Sequence, residues 1–429
     1  MIPTATEVEV GQGPRVAGDI SIFESMESEV RLYCRTFPAV FNRARGAELH
    51  AEDGRTFIDF FCGAGSLNYG HNNPHIKRQV TDYLAADGIM HGLDMYTSAK
   101  REFLAGLQEV VLAPRELDYR VQFCGPTGTD AVEAALKVAR KATGRRGIVS
   151  FAGAYHGMSL GSLAVTSGRR ARGSTDVTFV PYEDGPRGRF DSIDYLERMF
   201  TDPSSGMDLP AAVIVEPLQM EGGVYPASRE WLRALRELTL RHGVRLICDE
   251  IQAGCGRAGT FFAFEHAGIV PDIVTMSKSL SGYGFPLAIT LLRPELDVWS
   301  PGEHTGTFRG NQLAFVAGAA ALELWQRQDF RTGLAVATQR LDRFATEVTS
   351  LDPAIAVRGR GMVLGIDVGA AGGGPRAHRV QRHCFDHGLI VELCGRDDEV
   401  VKVMPPLTID QARHERGLEL LHRALVATG

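Results

Sequence analysis

Four short apolar runs recur between residues 147 and 276: G-I-V-S-F (147–151), A-A-V-I-V-E (211–216), V-R-L-I-C-D (244–249) and D-I-V-T-M (272–276). None alternates apolar with polar residues, so each is suited to burial on both faces. A sheet is covered on both faces mainly when helices carry the chain from one parallel strand to the next. Amphipathic segments do lie between or before the runs, among them Asp130–Arg140 and Arg229–Arg241. The chain is therefore read as α/β with a parallel, helix-covered sheet. Its last third changes character, with helices expected at Gln312–Gln326 and Leu334–Ser350, a glycine-bearing strand at Val357–Asp367 and a closing helix at Ile409–Ala427. These features divide the chain into an N-terminal arm (1–18), a large domain (76–325) and a smaller α+β domain made from both ends (19–75 with 326–429).

Composition narrows the functional classes. A net charge of −6 leaves no basic footprint for nucleic acid. No apolar run approaches the ~20 residues of a membrane helix, and residues 1–18 lack the basic start and apolar middle of a secretory signal. A cytoplasmic protein is expected, with no nucleic-acid or membrane partner. Seven scattered cysteines form no C-x-x-C pair and are read as reduced, small apolar residues. His71, His75 and His91 are too irregularly spaced for a metal site and are read as structural.

Four segments carry chemistry. In T-M-S-K-S-L-S-G an apolar strand ends at Lys278. A partly desolvated lysine at a rigid strand end can lose its proton and attack an aldehyde, although a solvated loop lysine fits the same segment. In L-I-C-D-E-I-Q another strand ends at Asp249, which can hold a proton on a pyridine nitrogen, with Gln252 near enough to bond a ring hydroxyl. A helix cap or an ion pair is the alternative for that acid. The stretch C-G-P-T-G-T-D-A-V-E turns from a strand end into a helix, presenting free N–H groups and the positive end of the helix dipole to an anion. Thr127, Gly128 and Thr129 are assigned to a phosphate there, with a plain N-cap as the bland reading. In A-Y-H-G, Tyr155 offers a flat face for stacking beside His156, and both fit a packed loop equally well.

Together the segments resemble the class III, or ω-type, pyridoxal phosphate aminotransferases. The matching pieces keep family order: G-H-N-N-P (70–74), G-P-T-G-T-D-A-V-E-A-A-L-K (125–137), Y-H-G (155–157), V-E-P-L-Q-M-E-G-G (215–223), D-E-I-Q-A-G-C-G-R-A-G (249–259), S-K-S (277–279), G-T-F-R-G-N (306–311) and P-P-L-T-I (405–409). The resemblance implies fold type I, with a mostly parallel seven-stranded sheet, pyridoxal 5′-phosphate on Lys278, and a homodimer in which Thr307 of one subunit reaches the phosphate held by the other. It also places Glu216 and Glu221 near the substrate, Glu221 where relatives mask an arginine. Many members carry that arginine before P-P-L; here V-V-K-V-M-P-P-L puts Lys402 there, a cation without the bidentate fork. I-F-E-S-M-E-S-E-V-R-L-Y-C-R-T-F-P (22–38) and D-G-I-M-H-G-L-D-M-Y (87–96), with Lys402 itself, resemble the branch exchanging the terminal amine of L-2,4-diaminobutyrate with 2-oxoglutarate. Expected partners are thus a small amino donor and a 2-oxo acid. Rival readings are an ornithine, lysine or 4-aminobutyrate aminotransferase, or an aminomutase of the same fold.

Overall fold

The structure, a computed structural model, describes residues 18–168, 176–185 and 188–429. Apart from Gly18, the expected arm lies outside the described residues.

Seven strands form the central sheet: β1 (Arg120–Phe123), β2 (Ile148–Phe151), β3 (Val177–Val180), β4 (Ala212–Val215), β5 (Arg245–Asp249), β6 (Ile273–Met276) and β7 (Ile289–Leu292). Their spatial order is β1-β7-β6-β5-β4-β2-β3. Every pairing is parallel except the two made by β7, which is antiparallel to β6 and β1. The reversal has a local cause: β7 follows β6 through residues 277–288, which contain only a short 3₁₀ turn and no crossover helix. The other six strands all point their carboxyl ends at one edge, where α/β sheets bind ligands.

The uninterrupted apolar runs are explained by the packing. Val149, Phe151, Val213, Val215, Leu246 and Cys248 enter one core, while their neighbours Ile148, Ala212, Ile214 and Ile247 enter another on the opposite face beneath the helix Gly128–Thr143. Alternate side chains face opposite sides of a strand, so burial on both sides demands apolar residues at every position.

The chain ends are built into each other. Phe41–Arg45, Glu48–Ala51 and Thr56–Asp59 form a sheet that is extended by Leu389–Ile390, paired parallel to Thr56–Asp59. Ile58 and Phe60 share a core with Leu364, Val401 and Leu421. On that shared core we propose the domain boundaries near residues 75 and 326. Arg257, fully buried, ties this part to the large sheet by donating to the carbonyls of Met362 and Pro405 and to Asn68 Oδ1 at 2.6–2.7 Å.

The helices Arg229–Arg241 and Gln312–Gln326 have the bounds read from the sequence, and the closing helix is Gln411–Ala427. The expected strand over Val357–Asp367 is instead a hairpin of Ala356–Gly359 and Leu364–Asp367. Gly361 makes that reversal, at φ +66° and so close to Gly259 that a Cβ would lie 2.3 Å from its nitrogen. Among the described residues no helix is long and apolar enough to cross a membrane, and no group of three or more His, Cys, Asp and Glu side chains converges as for a metal. All seven cysteines are unpaired.

Candidate active site

A cavity of ≈ 320 Å³ opens at the carboxyl edge of the sheet. Its lining includes Thr127, Gly128, Thr129, Tyr155, His156, Glu216, Glu221, Asp249, Gln252 and Lys278, ten of the twelve residues expected to form the site.

Lys278 follows β6 with φ +45°, a left-handed conformation that a side chain disfavours and that only a well-fixed surrounding can maintain. The flanking serines supply that fixation. Ser277 Oγ donates to the carbonyl of Leu287 at 2.7 Å, and Ser279 Oγ donates to that of Gly65 at 2.8 Å while accepting from Asn68 N. Burial pushes the Lys278 amine below the ordinary lysine range; Glu221 opposes this and Lys402 adds to it.

Asp249 ends β5 and is buried. Its Oδ1 accepts from Ile251 N at 3.0 Å and its Oδ2 lies 2.7 Å from His156 Nδ1. The other ring nitrogen of His156 is buried with no hydrogen-bond partner among the described residues. Glu216, one residue past β4, accepts from Tyr155 N at 2.9 Å and Met220 N at 3.1 Å. Burial dominates its titration, helped by Asp249 and opposed by His156 and the two N–H groups, and its carboxyl is pushed up to about 7.

The turn after β1 leads into the 16-residue helix Gly128–Thr143. Thr127 donates through both N and Oγ to Asp130 Oδ2, at 3.0 and 2.8 Å. Thr129 Oγ packs among Ser159 and Ser162. With both hydroxyls so engaged, this turn offers an anion the first N–H groups of the helix, which have no partner within it. Gln252 Nε2 donates to the carbonyl of Ala64 at 2.8 Å.

The remaining two expected residues differ from this group. Lys402 does not line the cavity; it is fully buried behind Glu221, whose Oε1 lies 2.5 Å away. A second acid flanks it, Glu392 Oε2 at 3.0 Å, and Tyr33 donates to the other oxygen of Glu392 at 3.1 Å. Burial alone would lower Lys402, but the two carboxylates outweigh it and hold the ammonium well above its usual range. Glu221, half-buried, is held low by Lys402 and Lys278 against the opposing effect of desolvation, whereas burial keeps Glu392 raised against the pull of Lys402. Neither Glu392 nor Tyr33 was found in the sequence; the available signal was an acid inside the apolar run L-I-V-E-L-C. Thr307 is exposed and away from the cavity of this single chain, its carbonyl accepting from His91 Nε2 at 3.0 Å.

The sheet order, the lone antiparallel strand and a lysine at the β6 end define fold type I of the pyridoxal phosphate enzymes. Residues 33–425 match the aminotransferase class-III family, and the chain belongs to that family. It is 52% identical over 95% of its length to an "uncharacterized aminotransferase" of Sinorhizobium fredii, covering 92% of that protein. It is 51% identical over 95% of its length to a diaminobutyrate–2-oxoglutarate transaminase of Streptomyces anulatus, covering 98% of it. Among solved structures, the N-acetylornithine aminotransferase of Stenotrophomonas maltophilia aligns with TM-score 0.75 at 28% identity, over 95% of this chain and 98% of that one.

The enzyme is thus a pyridoxal 5′-phosphate-dependent aminotransferase, and the cavity suits that group. It combines an amine of lowered basicity, a buried carboxylate backed by a histidine, and a helix N-terminus for a phosphate.

Proposed function

We propose that this aminotransferase reversibly moves the terminal amino group of L-2,4-diaminobutyrate to 2-oxoglutarate, giving L-aspartate 4-semialdehyde and L-glutamate. The observation that carries this reading is a cavity lined by Lys278, Asp249 and Glu221, with Glu221 paired to the buried Lys402 behind it. Such a pair has a partner for each charge of an amino acid's far end. The naming of relatives about half identical in sequence points the same way.

The cofactor, when bound, supplies an aldehyde that captures amines and a ring that withdraws electrons from the carbon bearing the amine. Asp249, oriented by His156, would keep a proton on the ring nitrogen, Gln252 would reach the ring hydroxyl and Tyr155 would stack on the ring. The turn Thr127–Thr129 would hold the phosphate, joined by Thr307 from a second copy of the chain. Lys278, which would hold the cofactor's aldehyde, is placed to carry a proton from the substrate's amine-bearing carbon to the cofactor's C4′ carbon in one half-reaction and the reverse way in the other, so one base would serve both directions. Burial favours the neutral form of this amine, the form able to accept a proton.

A panel of diaminobutyrate, ornithine, lysine and 4-aminobutyrate, each with 2-oxoglutarate and followed by product mass analysis, tests the reading. Diaminobutyrate should give the highest kcat/KM, with glutamate and the semialdehyde formed in equal amounts. A preference for another donor would overturn it, and so would retention of the amino group on the donor skeleton, the mark of an aminomutase.

A further inference from the structure

A second cavity, of ≈ 1050 Å³, shares no lining residue with the active site. Its walls are the strand Phe41–Arg45 with its hairpin partner Glu48–Ala51, and the starts of the helices Pro74–Ala85 and Gln411–Ala427. Four cations line it, Arg43, Arg45, Lys77 and Arg413, against two acids, Glu48 and Asp410. Both acids are taken up by one arginine: Arg413 Nε lies 2.7 Å from Glu48 Oε1, and its Nη1 donates to Asp410 Oδ2 at 2.8 Å. The side chains of Arg43, Arg45 and Lys77 make no hydrogen bond or ion pair among the described residues. Four cations against two acids leave two positive charges in excess, in a chain whose net charge is −6. Like charges gathered around one concavity repel each other and focus a positive potential into it, and both effects favour an anion there.

The two helices reinforce that field. Asn73 and Asp410 cap their first N–H groups, so the helices contribute the positive ends of their dipoles rather than donors. The arrangement also says which anion fits. Arg43 and Arg45 stand two residues apart on one strand, on the same side and about 7 Å from each other along it. Each guanidinium offers a planar fork matched to phosphate oxygens. A row of such forks meets a ligand whose charges follow one another along a line. No Phe, Tyr or Trp lines the cavity among the described residues, so nothing there stacks on a nucleobase.

We propose that this groove binds a chain of phosphates through Arg43, Arg45 and Lys77, whether the chain belongs to a nucleoside triphosphate or is inorganic polyphosphate. The site is distinct from the phosphate turn at Thr127–Thr129 and does not depend on which amino donor the enzyme uses.

The test titrates the holoenzyme calorimetrically, without added divalent metal, with sodium tripolyphosphate and separately with ATP. The salt is held at about 0.1 M, where charges more than about 10 Å apart are screened. One saturable site per chain is expected, with the two probes binding within a few-fold of each other and sulfate far more weakly. Arg43→Gln, Arg45→Gln and Lys77→Gln should each weaken tripolyphosphate by roughly 2- to 5-fold, the worth of one exposed ion pair, and by about 10- to 100-fold when combined. The combined variant should keep the parental melting temperature and transamination rate, because these side chains are exposed and hold nothing else. Absence of saturable binding by the parent overturns the proposal, and so does undiminished binding by the combined variant. Sulfate binding as tightly as tripolyphosphate would show a general anion patch instead. ATP binding far more tightly than tripolyphosphate would show that a base, not the phosphate chain, is recognised.

Discussion

At the Lys278 end of the cavity, the working side chains sit at or just beyond the carboxyl ends of strands: Asp249 closes β5, Glu216 follows β4, Lys278 follows β6 and Tyr155–His156 follow β2. Around Lys402, behind the cavity, Glu221 comes from the loop after β4, Glu392 and Lys402 from two neighbouring strands near the C-terminus, and Tyr33 from a segment near the N-terminus. The first end is rigid because each group is anchored by its own strand. The second is held by charge and packing between parts of the chain far apart in sequence. That contrast fits the division of labour proposed above: chemistry that is the same for every donor needs fixed geometry, whereas a group that meets two different substrates in alternate half-reactions needs room to adjust.

Removing the lysine base is the largest available perturbation of this contrast. Lys278→Ala should reduce both half-reactions together by on the order of 10⁴-fold, the upper part of the range for a positioned acid–base group. Single-turnover absorbance at the cofactor's visible band measures each half, and a variant impaired in only one half would break the equivalence claimed for that end. Lys402→Met should act unequally. It leaves the buried Glu392 and the half-buried Glu221 without their cation, so we expect about 3–5 kcal/mol of lost stability by thermal unfolding, together with a keto-acid half-reaction impaired more than the donor half. Unchanged stability would mean that Glu221 and Glu392 reach water when the ammonium is gone.

A smaller effect separates the two ends by pH. Burial raises Glu216 from its ordinary 4.5 to about 7, so the folded protein holds this proton more tightly than the unfolded chain. The associated stability is fully present below pH 4.5 and is lost as the pH rises through 7, about 3 kcal/mol in all. The fall in stability between pH 5 and 8 should be less steep in Glu216→Gln than in the parent, and equal slopes would remove Glu216 as the source. The smallest expected effect is that of Thr307→Ala, which should weaken cofactor retention by roughly 1.5–3 kcal/mol, one charge-assisted hydrogen bond. Mixing Lys278→Ala and Thr307→Ala chains under conditions of demonstrated subunit exchange should restore activity through the one intact site of a mixed dimer. Absence of recovery would count against a shared site.

The sequence by itself determined the class of fold and the identity of the Lys278 end. Unbroken apolar runs require two-sided burial, and a polar residue that ends such a run is delivered to the carboxyl edge of the sheet whatever the details of packing. This is why Asp249, Lys278 and the turn at Thr127–Thr129 were legible from short windows. Two strands of the central sheet are not legible in this way: Val177–Val180 has one face half exposed and little to mark it, and Ile289–Leu292 follows no helix that would announce a crossover. The hairpin within 357–367 reads as one strand in the sequence because its turn depends on the close approach of Gly361 to Gly259, a contact between distant residues. Only the tertiary structure decided the Lys402 end. Glu392 faces Lys402 through strand register, Glu221 reaches it across the interface between the two sheets, and Tyr33 arrives from the other end of the chain. Short-range patterns specify which residues lie on a strand and where it stops. Which charge meets which is set by long-range packing, and no local window of sequence contains that information.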